Sequence, residues 1–246
     1  MRPVWLMLAL LVSLPAAAER RVVSGGIEAS RLSNDTPDWV AAYTRADWRL
    51  DGGDSAWLQL LHGERFGLAD SEISAGAGRA FGAWNLSGNL SMSQPHKVLP
   101  QLAAGLAVSR PLNGNWVLGG SYRYAQYDTD RLHLLSASVD GWFGKWNPGY
   151  TVYHGILEGE GGAYSHLLRL RYYIADFDFL GLGLLRGEEG VRLSPTAVEL
   201  SAVSGVFVNG EHWWADTWAL QWRLSRFAQG DFYDRTEIAI GVRRRF

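Results

Sequence analysis

The residues with most chemical potential in this 246-residue chain are arginines set among carboxylates in alternating stretches. Arg45 with Asp47, Arg169 with Arg171, Arg235 with Glu237 and Arg243 with Arg245 are each spaced two apart. In an extended strand that spacing puts both side chains on one face. A guanidinium fork grips carboxylates, phosphates and sugar acids in a bidentate fashion, so such a face suits anionic or hydroxyl-rich solutes. The same residues are equally able to neutralise one another as a wall network without ion selectivity. The candidate lining set is Glu28, Arg45, Arg79, Arg123, Arg169, Arg171, Arg223 and Glu237. Around it lies a wider polar set: Asp47, Gln59, Asn85, Asn89, Asp140, Glu199, Arg235, Arg243 and Arg245.

Catalytic chemistry finds less support. Ser165-His166 is the one serine–histidine neighbour pair that invites a hydrolase reading, but nucleophile and base must lie within hydrogen-bond reach. Adjacent residues on a strand point to opposite faces, which separates them. His133 and His154 fall on segments that can become neighbours, yet no serine and acid accompany them at a recognisable spacing. There is no HExxH, no Cys/His cluster, no phosphate loop and no calcium loop. Glu158, Glu160 and Glu188-Glu189 read as acidic outer loops, with divalent-cation bridging to lipopolysaccharide phosphate as a minor alternative. The expectation is a non-enzyme with no cofactor and no metal.

The elements that must carry these residues are strands. Trp84, Leu86, Gly88, Leu90 and Met92 alternate with Asn85, Ser87, Asn89 and Ser91, and Ile238, Ile240 and Val242 alternate with Glu237, Ala239 and Gly241. Trp218, Leu220, Trp222 and Leu224 do the same against Gln221, Arg223 and Ser225. These stretches exceed the five or six residues of an ordinary strand and suit the ~9–11 residues of a tilted membrane strand. Fourteen segments emerge, at 22–32, 37–50, 54–64, 70–80, 82–93, 101–110, 115–127, 131–142, 145–156, 162–173, 176–186, 197–208, 213–227 and 232–246. Twelve remain if two short hairpins are misread. An even number keeps both ends of a bacterial barrel in the periplasm. Asp51-Gly52-Gly53, Phe81-Gly82, Pro111–Gly114, Phe143-Gly144, Ile174-Ala175 and Asn209-Gly210 read as tight periplasmic turns. Ser93–Pro100, Leu157–Gly161 and Gly187–Thr196 read as longer outer loops.

Composition agrees with an exported barrel. Met1-Arg2-Pro3, the apolar run Val4–Leu14 and the small residues Ala16 and Ala18 form a secretory signal with cleavage expected after Ala18. That gives a signal peptide at 1–18 and one domain at 19–246. Hydrophobic residues make up 47% of the chain, with 12 Trp, 10 Tyr and 9 Phe, yet no later apolar run is long enough for a transmembrane helix. A closed barrel pairs every backbone group inside hydrocarbon using strands that are individually half apolar. The net charge of −2 offers nothing to nucleic acid, and the absence of cysteine excludes a disulfide-stapled secreted domain. Trp39, Trp48, Trp84, Trp116, Trp142, Trp146, Trp213 and Trp214 near segment ends read as interfacial girdles rather than as a carbohydrate-stacking platform. The expected fold class is all-β: a single closed antiparallel transmembrane β-barrel.

The chain also resembles a family, the YaiO-type outer-membrane β-barrels. The resemblance rests on Ser24-Gly25-Gly26-Ile27-Glu28 with Ser30-Arg31-Leu32, on Asp38-Trp39, and on Arg65-Phe66-Gly67-Leu68-Ala69-Asp70. It continues through Leu99-Pro100 to the closing Gly241-Val242-Arg243-Arg244-Arg245-Phe246. It implies an outer-membrane location and a link to exopolysaccharide genes, and it brings no established catalytic residue. The terminal Phe246 behind alternating apolar residues looks like the signal read by the barrel-assembly machinery, although Arg244 departs from that pattern. Expected partners are outer-membrane lipid and lipopolysaccharide, the assembly machinery and a polysaccharide, with no nucleic acid. The primary functional expectation is a passive pore or conduit, in which Arg123, Arg169 and Arg223 favour anions. The alternatives are a filled structural or assembly barrel that binds a glycolipid or protein partner and, less supported, a lipid-modifying enzyme.

Overall fold

A computed structural model describes residues 20–112, 114–194 and 197–246; the proposed signal peptide lies outside the described residues. Fourteen strands follow one another as β1 (Arg20–Leu32), β2 (Trp39–Arg49), β3 (Ser55–Arg65), β4 (Leu68–Phe81), β5 (Trp84–Gln94), β6 (Leu102–Pro111) and β7 (Trp116–Gln126). They continue as β8 (Arg131–Gly141), β9 (Trp146–Leu157), β10 (Gly161–Tyr173), β11 (Phe179–Ser194), β12 (Ala197–Ala215), β13 (Trp218–Gln229) and β14 (Tyr233–Arg245). Each pairs antiparallel with its sequence neighbour, and β1 pairs with β14 from Val22↔Arg245 to Leu32↔Arg235, closing the ring. Closure leaves no strand edge within the ring itself, so the backbone there is hydrogen-bonded around the whole circumference.

The molecule is inside out relative to a water-soluble protein. Ile27, Leu106, Leu168 and Leu224 are exposed on the outer face, whereas Ser24, Ser30, Ser74, Thr151, Ser165 and Ser225 are buried on the inner face. Outward side chains find hydrocarbon and inward ones find each other or water, so the alternation of each strand converts directly into two environments. Trp84, Trp116, Trp146, Trp214 and Trp218 stand outward near the strand ends on the side of the chain termini, forming a girdle. Trp39 and Trp213 do not join it. Trp39 turns inward against Phe66 and Tyr233, and the Trp213 indole Nε1–H donates to Glu211 at 2.9 Å. Arg244 lies over the rings of Trp218 and Phe246, giving the departure from the terminal apolar pattern a cation–π role at the interface.

Three expectations about connections are corrected. Asn209-Gly210 is not a turn but lies inside β12, whose link to β13 is Asp216-Thr217. Of the expected loop Gly187–Thr196, Gly187–Ser194 is not open, because β11 runs on to Ser194 and pairs with β12, while 195–196 lie outside the described residues. The two sides of the barrel also differ little in loop length, since Phe66-Gly67 and Glu158–Glu160 are as short as the opposite turns. The outer side is elaborated by strand extension instead. β11 stays beside β10 only as far as Gly187, and β12 joins β13 only from Val203, so the hairpin between them is paired with itself alone. Gly187 marks the departure. Its φ of +145° is a glycine conformation, and a Cβ there would strike the Tyr164 carbonyl and the Ser165 Cα. Beyond it the hairpin leans inward: Gly190 packs against Leu132 of β8, and its amide nitrogen lies 3.7 Å from where a Cβ on Gly155 of β9 would stand.

Candidate functional site: the lumen wall

Alternation around the closed ring decides what lines the interior. Glu28, Arg45, Arg123, Arg169, Arg171, Arg223 and Glu237 all stand on inward positions of their strands, as their partners show. Arg79 does not. It pairs across β5 with the exposed Leu86, its side chain is 74% exposed, and it reaches Asp54 at 3.6 Å on the outer surface. Strand β4 offers little hydrophobic contrast, with Ala75, Ala77 and Ile73 facing Ser74, Gly76 and Gly78, so the sequence pattern there is nearly symmetrical. Close to the strand end, an outward arginine extends its charge to interfacial water and its stem covers the wall.

Most inward charges are paired. Arg45 meets Asp47 at 2.7 Å, Arg169 meets Asp140 at 2.9 Å across Gly149, and Arg243 meets Glu211 at 3.0 Å. Arg223 uses Nη2 on Glu237 at 2.7 Å and on Glu28 at 3.5 Å, while its Nε donates to Glu237 at 2.9 Å. Glu237, 7% exposed, also accepts from the Ser30 hydroxyl at 3.4 Å. Ion pairs of this kind hold the charges in one geometry and cancel most of their long-range field. Arg123 and Arg171 are different: among the described residues neither has a carboxylate partner, and Arg171 lies over the Phe179 ring instead. The net anion attraction expected of Arg123, Arg169 and Arg223 therefore narrows to Arg123.

The wall has two unlike sectors. From β12 through β14 and β1 to β3 it carries arginines, acids and rings, and the rings sit against glycines: Tyr43 on Gly26, Trp57 on Gly76, Phe207 on Gly183 and Phe227 on Gly205. From β5 to β7 it carries Asn85, Ser87, Asn89, Gly105, Ala107, Ser109, Gly119 and Ser121, small side chains that barely leave the backbone. Asn85, Ser87, Asn89, Ala107 and Arg123 point inward and are nonetheless exposed. Water reaches them inside the ring, so the lumen beside this sector is not packed with side chains. A ring of 14 strands falls between small barrels that fill themselves and the 16–18-stranded porins that hold an aqueous channel.

Sequence reasoning missed the inward Tyr43, Asn209 and Glu211, whereas Gln221 stands inward as its alternation with Leu220 and Trp222 predicts. Alternation was the available signal, since each missed residue stands two residues from a charged or aromatic inward neighbour. Ser165 and His166 are separated as strand geometry requires. Ser165 is 2% exposed inside, whereas His166 Nδ1 is hydrogen-bonded to Tyr150 Oη at 2.8 Å on the outer face. His133 and His154 also face outward, and His133 links Tyr122 Oη at 2.7 Å to Glu158 at 3.1 Å near the rim.

A closed antiparallel ring with an apolar exterior and a hydrated, charge-lined interior defines an outer-membrane barrel of the porin-like type. The chain belongs to the YaiO membrane β-barrel domain family, whose model matches residues 21–190. It is accordingly a protein of the bacterial outer membrane. No curated protein matches it. Among solved structures it is similar to a monoaromatic hydrocarbon channel, CymD, at TM-score 0.60 and 8% identity, covering 92% of this chain and 87% of that one. It is similar to a bacterial polysaccharide outer-membrane secretin at TM-score 0.59 and 9% identity, covering 94% and 100%. An anion-selective porin from Comamonas acidovorans follows at TM-score 0.50 and 10% identity, covering 93% and 100%. At these identities the likeness is one of fold.

Proposed function

We propose that this barrel is a passive pore for small hydrophilic solutes, with sugars of the cell envelope as the preferred class. The observation that carries the reading is the exposure of inward Asn85, Ser87, Asn89 and Arg123, which marks a hydrated path along β5–β7. The inward-leaning hairpin beyond Gly187 narrows its outer mouth on the β8–β9 side. Barrels of the same fold include a polysaccharide secretin and a porin seen with oligogalacturonate, which supports a saccharide solute and the expected exopolysaccharide link. Lipopolysaccharide and the assembly machinery remain the proposed partners of the outer surface and of the Phe246 strand.

Purified barrel reconstituted in planar bilayers should give stepwise conductance, and liposomes carrying it should admit small sugars. Correctly folded barrels that yield neither channel events nor sugar uptake would replace the pore with the filled, partner-binding barrel.

A further inference from the structure

Midway along the charged sector the wall opens into a recess. Gly26, Ala239 and Gly241 sit side by side on β1 and β14, so the wall there lacks bulky side chains. Around this floor stand Tyr43 and Glu28 on one side, and Arg223, Gln221, Asn209 and Glu211 on the other. The cavity holds about 210 Å³, and Phe179, with the Arg171 guanidinium over its ring at 5.3 Å, belongs to its lining. Tyr43 folds over Gly26 with its hydroxyl reaching above Gly241, an approach that any side chain at either glycine would block.

Several polar atoms around the recess are left over. Among the described residues the Tyr43 hydroxyl and the Asn209 amide make no hydrogen bond, and Glu28 has only the long 3.5 Å contact to Arg223. The other groups are committed to one another. Gln221 donates to Glu211 at 2.8 Å, Arg243 donates to the same carboxylate at 3.0 Å, and Arg223 is held by Glu237. A phenol, an amide and a carboxylate converging beside an aromatic ring match a solute presenting neighbouring hydroxyls on a partly apolar ring. Charge narrows the class further. Arg223, Arg243 and Arg171 balance Glu28, Glu211 and Glu237 here, but Glu237 and Glu211 already hold Arg223 and Arg243, and Arg171 lies over the Phe179 ring. The loosely held charge is therefore Glu28, diagonal to Tyr43, and a sugar carboxylate beside it meets repulsion that a neutral hydroxyl escapes.

We infer that this recess is a binding subsite for one neutral hexopyranose unit of a solute passing through the lumen. Glu28 and Asn209 accept from and donate to ring hydroxyls, Tyr43 supplies a third hydrogen bond, and Phe179 packs against the ring's C–H face. Across the ring, β6 stands opposite β13, so the solute has the bare sector at its back. The inference rests on the pore reading for access, but its test does not need conduction.

Saturation-transfer NMR on the detergent-folded barrel, with maltotriose and trigalacturonate as probes, reads binding directly. Maltotriose should show transfer, and trigalacturonate should show several-fold less at matched concentration. Asn209→Ala and Tyr43→Phe should each weaken maltotriose binding by roughly fivefold to tenfold, the size of one lost hydrogen bond. Ser109→Ala, on the opposite wall, should leave it unchanged. Glu28→Gln should narrow the gap between the two sugars, and its folding is checked by heat-modifiable gel mobility. Equal binding of both sugars, preference for the acidic one, or indifference to Asn209→Ala and Tyr43→Phe in folded protein overturns the subsite. A barrel that binds maltotriose yet conducts nothing keeps the subsite and removes the pore.

Discussion

The β5–β7 wall and the β12–β3 wall come from the same strand rule yet behave oppositely. One carries serine, glycine, alanine and asparagine with water against them; the other carries paired charges and rings pressed onto glycine. The first leaves space, and the second spends its side chains on one another. The difference teaches that an inward charge is not automatically a solute contact. Arg169 and Arg223 are mainly structural because carboxylates already hold them, whereas Arg123 on the bare wall faces the lumen without such a partner. A channel of this kind is shaped by where side chains are absent as much as by where they are charged.

The largest effect that tests this contrast comes from the neighbours Leu106 and Ala107. Leu106→Arg puts a charge into hydrocarbon from a residue that is 68% exposed outward, and should cost about 2–4 kcal/mol near the midplane. Ala107→Arg enters the open sector, should cost far less, and should reduce conductance instead. Urea titration in lipid with single-channel recording would break the face assignment if the stability order were reversed.

On the crowded wall, Gly183→Ala would drive a methyl into the Phe207 ring, and should destabilise by about 1–3 kcal/mol as overpacking does. Gly119→Ala on the bare wall meets only the Ser138 hydroxyl, which is free to rotate, and should stay within about 0.5 kcal/mol of wild type. Comparable losses from both in the same titration would show that the bare wall is packed after all.

Selectivity should divide the arginines in the same way. Arg123→Gln removes an unpaired charge and should move the reversal potential modestly toward cations, most clearly at low salt. Replacing Arg123, Arg169 and Arg223 together removes three positive charges and leaves Asp140, Glu28 and Glu237 without their arginine partners, so the shift toward cations should be larger than that of Arg123 alone. A triple variant that shifts no further than Arg123→Gln would mean that Arg169 and Arg223 do not face the conducting path.

The smallest effect lies outside both walls, at the β9–β10 turn. Hydrogen bonds from His133 and then Arg131 hold the Glu158 carboxyl below the ordinary value of 4.5. A depressed carboxyl contributes stability that is present above 4.5 and is lost as the pH falls through the lower folded value. Amide exchange in 158–161 should therefore quicken, relative to the neighbouring strands, as the pH drops below 4.5, and Glu158→Gln should remove the step. An unchanged profile in that variant would assign the step to another group.

Much of this architecture was legible in the chain itself. Period-two alternation over long segments is a local property, so the number of strands, their order and most inward residues follow from reading along the sequence. It failed where the two faces are chemically alike, as on β4 with Arg79, and where a strand continues through residues that resemble a loop, as at Gly187–Ser194. Only the closed ring decided the rest. Register and closure set which inward side chains meet, bringing Glu28 of the first strand to Arg223 and Glu237 of the last two, and Tyr43 over Gly26 and Gly241. Those pairings depend on hydrogen bonds between strands remote in the chain, and alternation within one strand carries no information about the strand beside it.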